Sequence, residues 1–139
     1  LSQDGCRYIP HVFGVQVGQT VSIINNDATL HNIHATPAVD EEFNTGQPIE
    51  GMVYERVFDS PEVMVPFQCD VHGWMNAYVG VLDHPFFGVT GEDGSFDLSG
   101  LPPGDYVVEA WHEELGTQTQ NVTVGEGATA ELNFTFTVG

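Results

Sequence analysis

Lysine is absent from this chain, and the two basic residues, Arg7 and Arg56, face 20 acidic ones for a formal charge of -18. That balance opposes binding to nucleic-acid phosphates, so any charged partner is expected to be basic. No EF-hand-like loop gathers the carboxylates into a calcium site. Cysteine is nearly as scarce: Cys6 and Cys69 allow one disulfide in an oxidising compartment, and if Cys69 serves a metal instead, Cys6 is left unpaired. There is no run of 18 apolar residues, so no membrane span is expected. The chain begins at Leu1 without methionine or signal peptide, which suggests a leader or anchor removed or lying outside it. No Gly-rich phosphate loop, no serine nucleophile elbow and no nominated carboxylate pair is found, so the expectation is a protein that is not an enzyme.

What is present is a globular composition, 139 residues with 41% hydrophobic side chains. Val-, Phe- and Thr-rich segments alternate with Gly, Pro, Asn and Asp clusters, and no stretch keeps a 3.6-residue apolar period. The fold class read from this is all-β. Strands are expected near 9–17, 20–25, 31–35, 52–58, 62–69 and 77–82, then 86–90, 95–98, 105–112, 118–124 and 129–138. The cleanest alternation is the last, with Leu132, Phe134, Phe136 and Val138 on one face. In DYVVEAWH the row Tyr106, Val108, Ala110 ends at His112. The acidic stretch 36–51 reads as a long surface loop with a short helical turn at AVDEEF. Met52 and Met64 fall in strand patterns and read as core. A composition shift near His84 and Pro85 divides the chain, and the part after it is too small for a comfortable core alone, so it is expected to pack on the first.

The stretch CDVHGWM, residues 69–75, puts a thiol, an imidazole and a thioether three residues apart. Each alone is usually a packing residue, but together they can converge on one soft metal ion. A trigonal set of two imidazoles and one thiolate with a weak thioether suits copper, and the methionine favours copper over zinc. Cys69, His72 and Met75 supply three ligands, and His31 in NNDATLHNIH offers the fourth. Asn32, next to it, is placed to hydrogen-bond across to the Cys loop, and Trp74 reads as a packing lid against water. The competing reading joins Cys69 to Cys6 and leaves His72 and Met75 incidental.

NNDATLHN together with CDVHGWM resembles the cupredoxin family, in which the first His ligand is followed by Asn and the rest lie in one Cys-His-Met loop. The spacing C-x-x-H-x-x-M is similar to the short ligand loop of amicyanin-type electron carriers. The text GVLDHPFFGVTGEDGSFDLSGLPPGDYVVEAWHE resembles the carboxypeptidase-regulatory-like, transthyretin-like β-module. Nearly the whole chain resembles bacterial extracytoplasmic plastocyanin-like or methylamine-utilisation proteins. The resemblance implies a Greek-key cupredoxin sandwich over 1–84 and the module over 85–139, with one copper per chain held by His31, Cys69, His72 and Met75. It also implies an extracytoplasmic location, periplasmic or secreted, and electron transfer, with His72 as the exit and a basic cytochrome or dehydrogenase as partner.

Other residues stay open between roles. His34 lies on the opposite strand face from His31 and is a surface residue or a second-site ligand. His84 and His112, in HPFF and WHE, are candidates for a further metal site or for bonds between modules, the latter preferred. His11 reads as a satisfied strand histidine. Asn121 and Asn133 begin Asn-x-Thr sequons, which are potential glycosylation sites. A second functional class is a structural or adhesive β-module, a building block of a homo-oligomer or extracellular polymer, in which the metal is a staple or a vestige.

Overall fold

Short runs of β-branched and aromatic residues between turn residues form strands because alternate side chains reach a common core. The computed structural model describes residues 1–137, and no helix is assigned among them. Among the described residues no helix is long and apolar enough to cross a membrane. The chain divides into two compact units, Leu1–Asp97 and Leu98–Gly139.

In the first unit the strands are β1 (Ser2–Gln3), β2 (Tyr8–Ile9), β3 (Val12–Gln16), β4 (Thr20–Asn25), β5 (His31–Ala35), β6 (Phe43–Gln47), β7 (Val53–Val57), β8 (Glu62–Gln68) and β9 (Asn76–Leu82). One sheet has the order β2-β1-β4-β7 and the other β3-β9-β8-β5-β6. β3 runs parallel to β9 and β1 parallel to β4, while the other pairings are antiparallel. The core holds Ile23, Ile33, Val65, Val79 and Val81 around Phe43, Phe58 and Phe67. Phe58 stacks on Phe67 at 6.3 Å, and Phe43 meets Phe67 edge-on at 6.0 Å. Such aromatic pairs add to the burial they share.

Two expectations change here. The stretch 36–51 is not wholly loop: Phe43–Gln47 is an edge strand on β5, with Phe43 and Gln47 buried. Its polar sequence hid it, because Gln47 is buried as a hydrogen-bonding residue and not as an apolar one. AVDEEF forms a bend and not a helical turn. Met52 is exposed at 37%, contrary to the core assignment, whereas Met64 is half-buried against Gly80.

The second unit is built on one hairpin, β10 (Gly104–His112) and β11 (Gly116–Val124), paired without a break over all nine residues. Tyr106, Val108 and Ala110 are its half-buried row, and His112 at the row's end is exposed. The strands expected at 86–90 and 95–98 are irregular segments with a turn, in which Gly91 N–H bonds the Ser95 carbonyl. The strand expected at 129–138 is not formed among the described residues, and Val138 lies outside them. Leu132, Phe134 and Phe136 keep the alternating half-burial, but Gln120 and Gln118 side-chain amides donate to the carbonyls of Asn133 and Thr135. Side-chain amides there meet backbone acceptors that a ladder would otherwise use.

Candidate metal centre

The ligand loop is closed by its own backbone. Cys69 N–H donates to the Met75 carbonyl at 3.1 Å, and Met75 N–H donates to the His72 carbonyl at 3.0 Å. His72 N–H in turn points at Cys69 Sγ, 3.4 Å away. A spacing of three between each chemical residue lets the strand ends β8 and β9 meet at the loop's mouth while the imidazole folds back over the sulfur. Cys69 and Met75 are fully buried, and His72 is half-buried.

His31 reaches this loop from the start of β5. Its Nδ1 lies 3.1 Å from His72 Nδ1, and His72 Nδ1 lies 3.8 Å from Cys69 Sγ. Its other ring nitrogen, Nε2, meets Asp27 Oδ2 at 2.7 Å. With that N–H donated to the carboxylate, His31 Nδ1 is left with its lone pair aimed at His72. The bond to His31, then that from Cys6 N–H, holds the Asp27 carboxyl below its usual range.

Sequence reading missed Asp27. Its signal was available: an Asp in a turn, four residues before a candidate ligand. Asn25 fixes that turn by accepting from Asp27 N–H and donating to the Thr29 carbonyl. Asn25 also donates to the buried Gln47 carbonyl, and Gln47 pairs with Gln3 at 2.5 Å. A buried amide network thus anchors the turn that presents His31.

Asn32 carries the other brace. Its Oδ1 accepts from Asp70 N–H at 2.6 Å, and its Nδ2 donates to Asp70 and Asn44. Its carbonyl accepts from the Tyr8 hydroxyl at 2.5 Å. Burial first, then the nearby Cys69 and Asp70, pushes the Tyr8 phenol up.

Trp74, expected as a packing lid, stands largely exposed beside the loop histidine. Its ring is 66% exposed, lies edge-on to His72 at 5.1 Å, and donates Nε1–H to the Cys6 carbonyl at 2.9 Å. Its hydrogen bond ties the loop to the β1–β2 turn. Cys6 and Cys69 are both free thiols.

The remaining candidates separate. His34 meets Glu42 at 2.5 Å and Asp70 at 3.2 Å, and these two bonds raise its pKa. His84 Nδ1 accepts from Phe86 N–H, and His112 Nδ1 accepts from Glu114 and Leu115 N–H, so each closes a local turn. His11 Nδ1 bonds the Asn76 carbonyl at 3.1 Å. Asn121, on β11, and Asn133 are both exposed.

The donors fit a metal ion. Two imidazole nitrogens on one ion at about 2.0 Å each must lie less than about 4 Å apart, and a thiolate and an imidazole less than about 4.3 Å. The His31–His72 separation of 3.1 Å and the His72–Cys69 separation of 3.8 Å satisfy the limits for those two pairs. Two facing lone pairs at that distance repel unless a proton or cation lies between them.

Residues 76–137 match the carboxypeptidase regulatory-like domain family. Among solved structures, a methionine-to-alanine variant of amicyanin in its Cu(I) form is 26% identical over 58% of this chain and 77% of its own, at a TM-score of 0.51. A proline-to-alanine variant of amicyanin in the oxidised state is 27% identical over the same shares, also at 0.51. A purple cupredoxin from Nitrosopumilus maritimus is 28% identical over 55% of this chain and 83% of its own, at 0.48. A search of curated protein sequences finds no match.

Proposed function

We propose that this chain, a cupredoxin β-sandwich joined to a carboxypeptidase regulatory-like region, is an extracytoplasmic copper protein that carries single electrons. His31, Cys69 and His72 would hold one copper ion, with the Met75 thioether as a weaker fourth ligand. The boundary between the two domains is proposed near residue 84. The observation that carries the reading is the approach of His72 Nδ1 to His31 Nδ1 on one side and to Cys69 Sγ on the other, with the far side of His31 fixed by Asp27.

Copper supplies a one-electron couple when bound, and the protein's task is to hold the donors still through both states. Asp27 fixes the His31 tautomer, Asn32 and Tyr8 clamp the loop, and His72 N–H steadies the Cys69 sulfur. Electrons would leave through His72, whose ring edge meets the exposed Trp74. A net charge of -18 would steer a basic cytochrome or dehydrogenase.

The test is Cu(II) titration followed by visible absorption and EPR. A thiolate-to-copper charge-transfer band saturating at one copper per chain, and lost in Cys69→Ser, is the expected result. No band in the wild type would overturn the proposal. The structural-module alternative draws on the hairpin β10–β11, a two-stranded sheet in which Val107 is exposed at 68%. Unprotected strand edges invite pairing with other chains. Sedimentation that shows assembly rising with concentration would favour that reading, and a constant monomer would favour the carrier.

A further inference from the structure

Cys6 sits at the tip of the short β1–β2 hairpin, outside both motifs that make up the ligand set. Its sulfur and one ring nitrogen each of His31 and His72 all lie within 4.8 Å of one another. We infer that Cys6 is a further ligand of the centre, so that two thiolates, from Cys6 and Cys69, and two imidazoles face the ion. This rests on the copper reading above and deepens it.

Three observations place Cys6 for that task. Asp27 accepts the Cys6 and Gly5 backbone N–H groups at 3.0 Å and 2.9 Å and also takes His31 Nε2. One carboxylate therefore sets the position of both the imidazole and the hairpin tip. Trp74, from the ligand loop, donates to the Cys6 carbonyl, so the tip is tied to that loop as well. Finally, Cys6 has φ 55°, in the left-handed region that glycine or asparagine occupies with less strain. A half-buried cysteine stands there against its backbone preference.

The chemistry is consistent with the distances between Cys6 and the two imidazoles. The reach of a thiolate and an imidazole on one ion is about 4.3 Å, so the 4.8 Å limit asks the tip to close by at most about 0.5 Å. On binding, the Cys6 S–H bond is replaced by a sulfur–metal bond and one proton goes to solvent. A second thiolate makes the donor set softer, and soft sulfur donors favour Cu(I). The reduced state is therefore the more tightly held.

X-ray absorption at the copper edge of the Cu(I)-loaded full chain counts sulfur neighbours, and competition with a chromophoric Cu(I) chelator measures affinity. Two short sulfur neighbours per copper are expected in the wild type, and one in Cys6→Ser. Cys6→Ser is expected to weaken Cu(I) binding by about 10-fold or more. One short sulfur in the wild type, or a count unchanged by Cys6→Ser, overturns the inference while leaving the copper proposal standing. A wild type that takes up no copper overturns the copper proposal itself. Should Cys6→Ser fail to fold, the wild-type sulfur count alone decides.

Discussion

At the scale of single residues, the candidate centre depends on groups that are not ligands. Asp27 is the clearest, because one carboxylate serves His31, Cys6 and Gly5. Asp27→Asn keeps the side chain's shape but loses the charge and one acceptor, and is expected to weaken copper affinity by about 10- to 100-fold. A chelator competition read beside the thermal melt of the apo-protein checks this. His34 offers a pH-dependent counterpart. The Glu42 and then the Asp70 hydrogen bond raise its folded pKa, so its stabilising contribution is complete below about 6.5, the unfolded value, and is lost as pH rises through the folded one. An NMR titration should place His34 above the ordinary histidine range and Glu42→Gln should bring it down; no change on that substitution would refute the role of Glu42.

At the scale of elements, the sheet-end positions of β5, β8 and β9 decide where the donors meet. Elsewhere in the first unit the packing is tight enough for single atoms to matter. A Cβ at Gly14 on β3 would lie 2.4 Å from the Phe87 ring, so Gly14→Ala is expected to destabilise by about 1–3 kcal/mol through forced displacement. Phe67→Ala removes a fully buried ring from the Phe43–Phe58 cluster and should cost about 3–5 kcal/mol. Denaturant midpoints at unchanged slope test both. The element level is also where sequence reading was uneven. Thr20–Asn25 and His31–Ala35 form over the expected ranges; in the first, β-branched residues and alternation agree. Phe43–Gln47 went unread because an edge strand of Phe, Asn, Thr, Gly and Gln carries little apolar signal. The terminal stretch gave the reverse error: Leu132, Phe134 and Phe136 alternate, yet the amides of Gln118 and Gln120 meet its carbonyls from the side.

At the scale of the whole molecule, charge is the dominant property. With two cations against 20 carboxylates, long-range attraction to a basic redox partner would dominate the encounter rate. Arg56 is engaged, lying 4.7 Å over the Phe43 ring and 3.9 Å from Glu41. The association rate with a basic cytochrome is expected to fall steeply as salt rises from about 10 to 150 mM, while a neutral-surfaced partner shows little change. Stopped-flow measurement over that range checks it, and a rate independent of salt would refute steering.

The sequence by itself determined the all-β class, through its periodicity and lack of helical spacing, and nominated the chemistry of CDVHGWM, because ligand type and spacing are local properties. Only the tertiary structure decided which distant groups complete the candidate site. Asp27 meets Cys6 across 21 residues, and Trp74 meets Cys6 across 68. Such meetings follow from sheet order and from a buried Gln3–Gln47–Asn25 network, which joins residues far apart in the chain and has no period to read. Cys6 shows the difference most plainly: in the sequence it is a leftover thiol, and in the fold its sulfur faces two imidazoles.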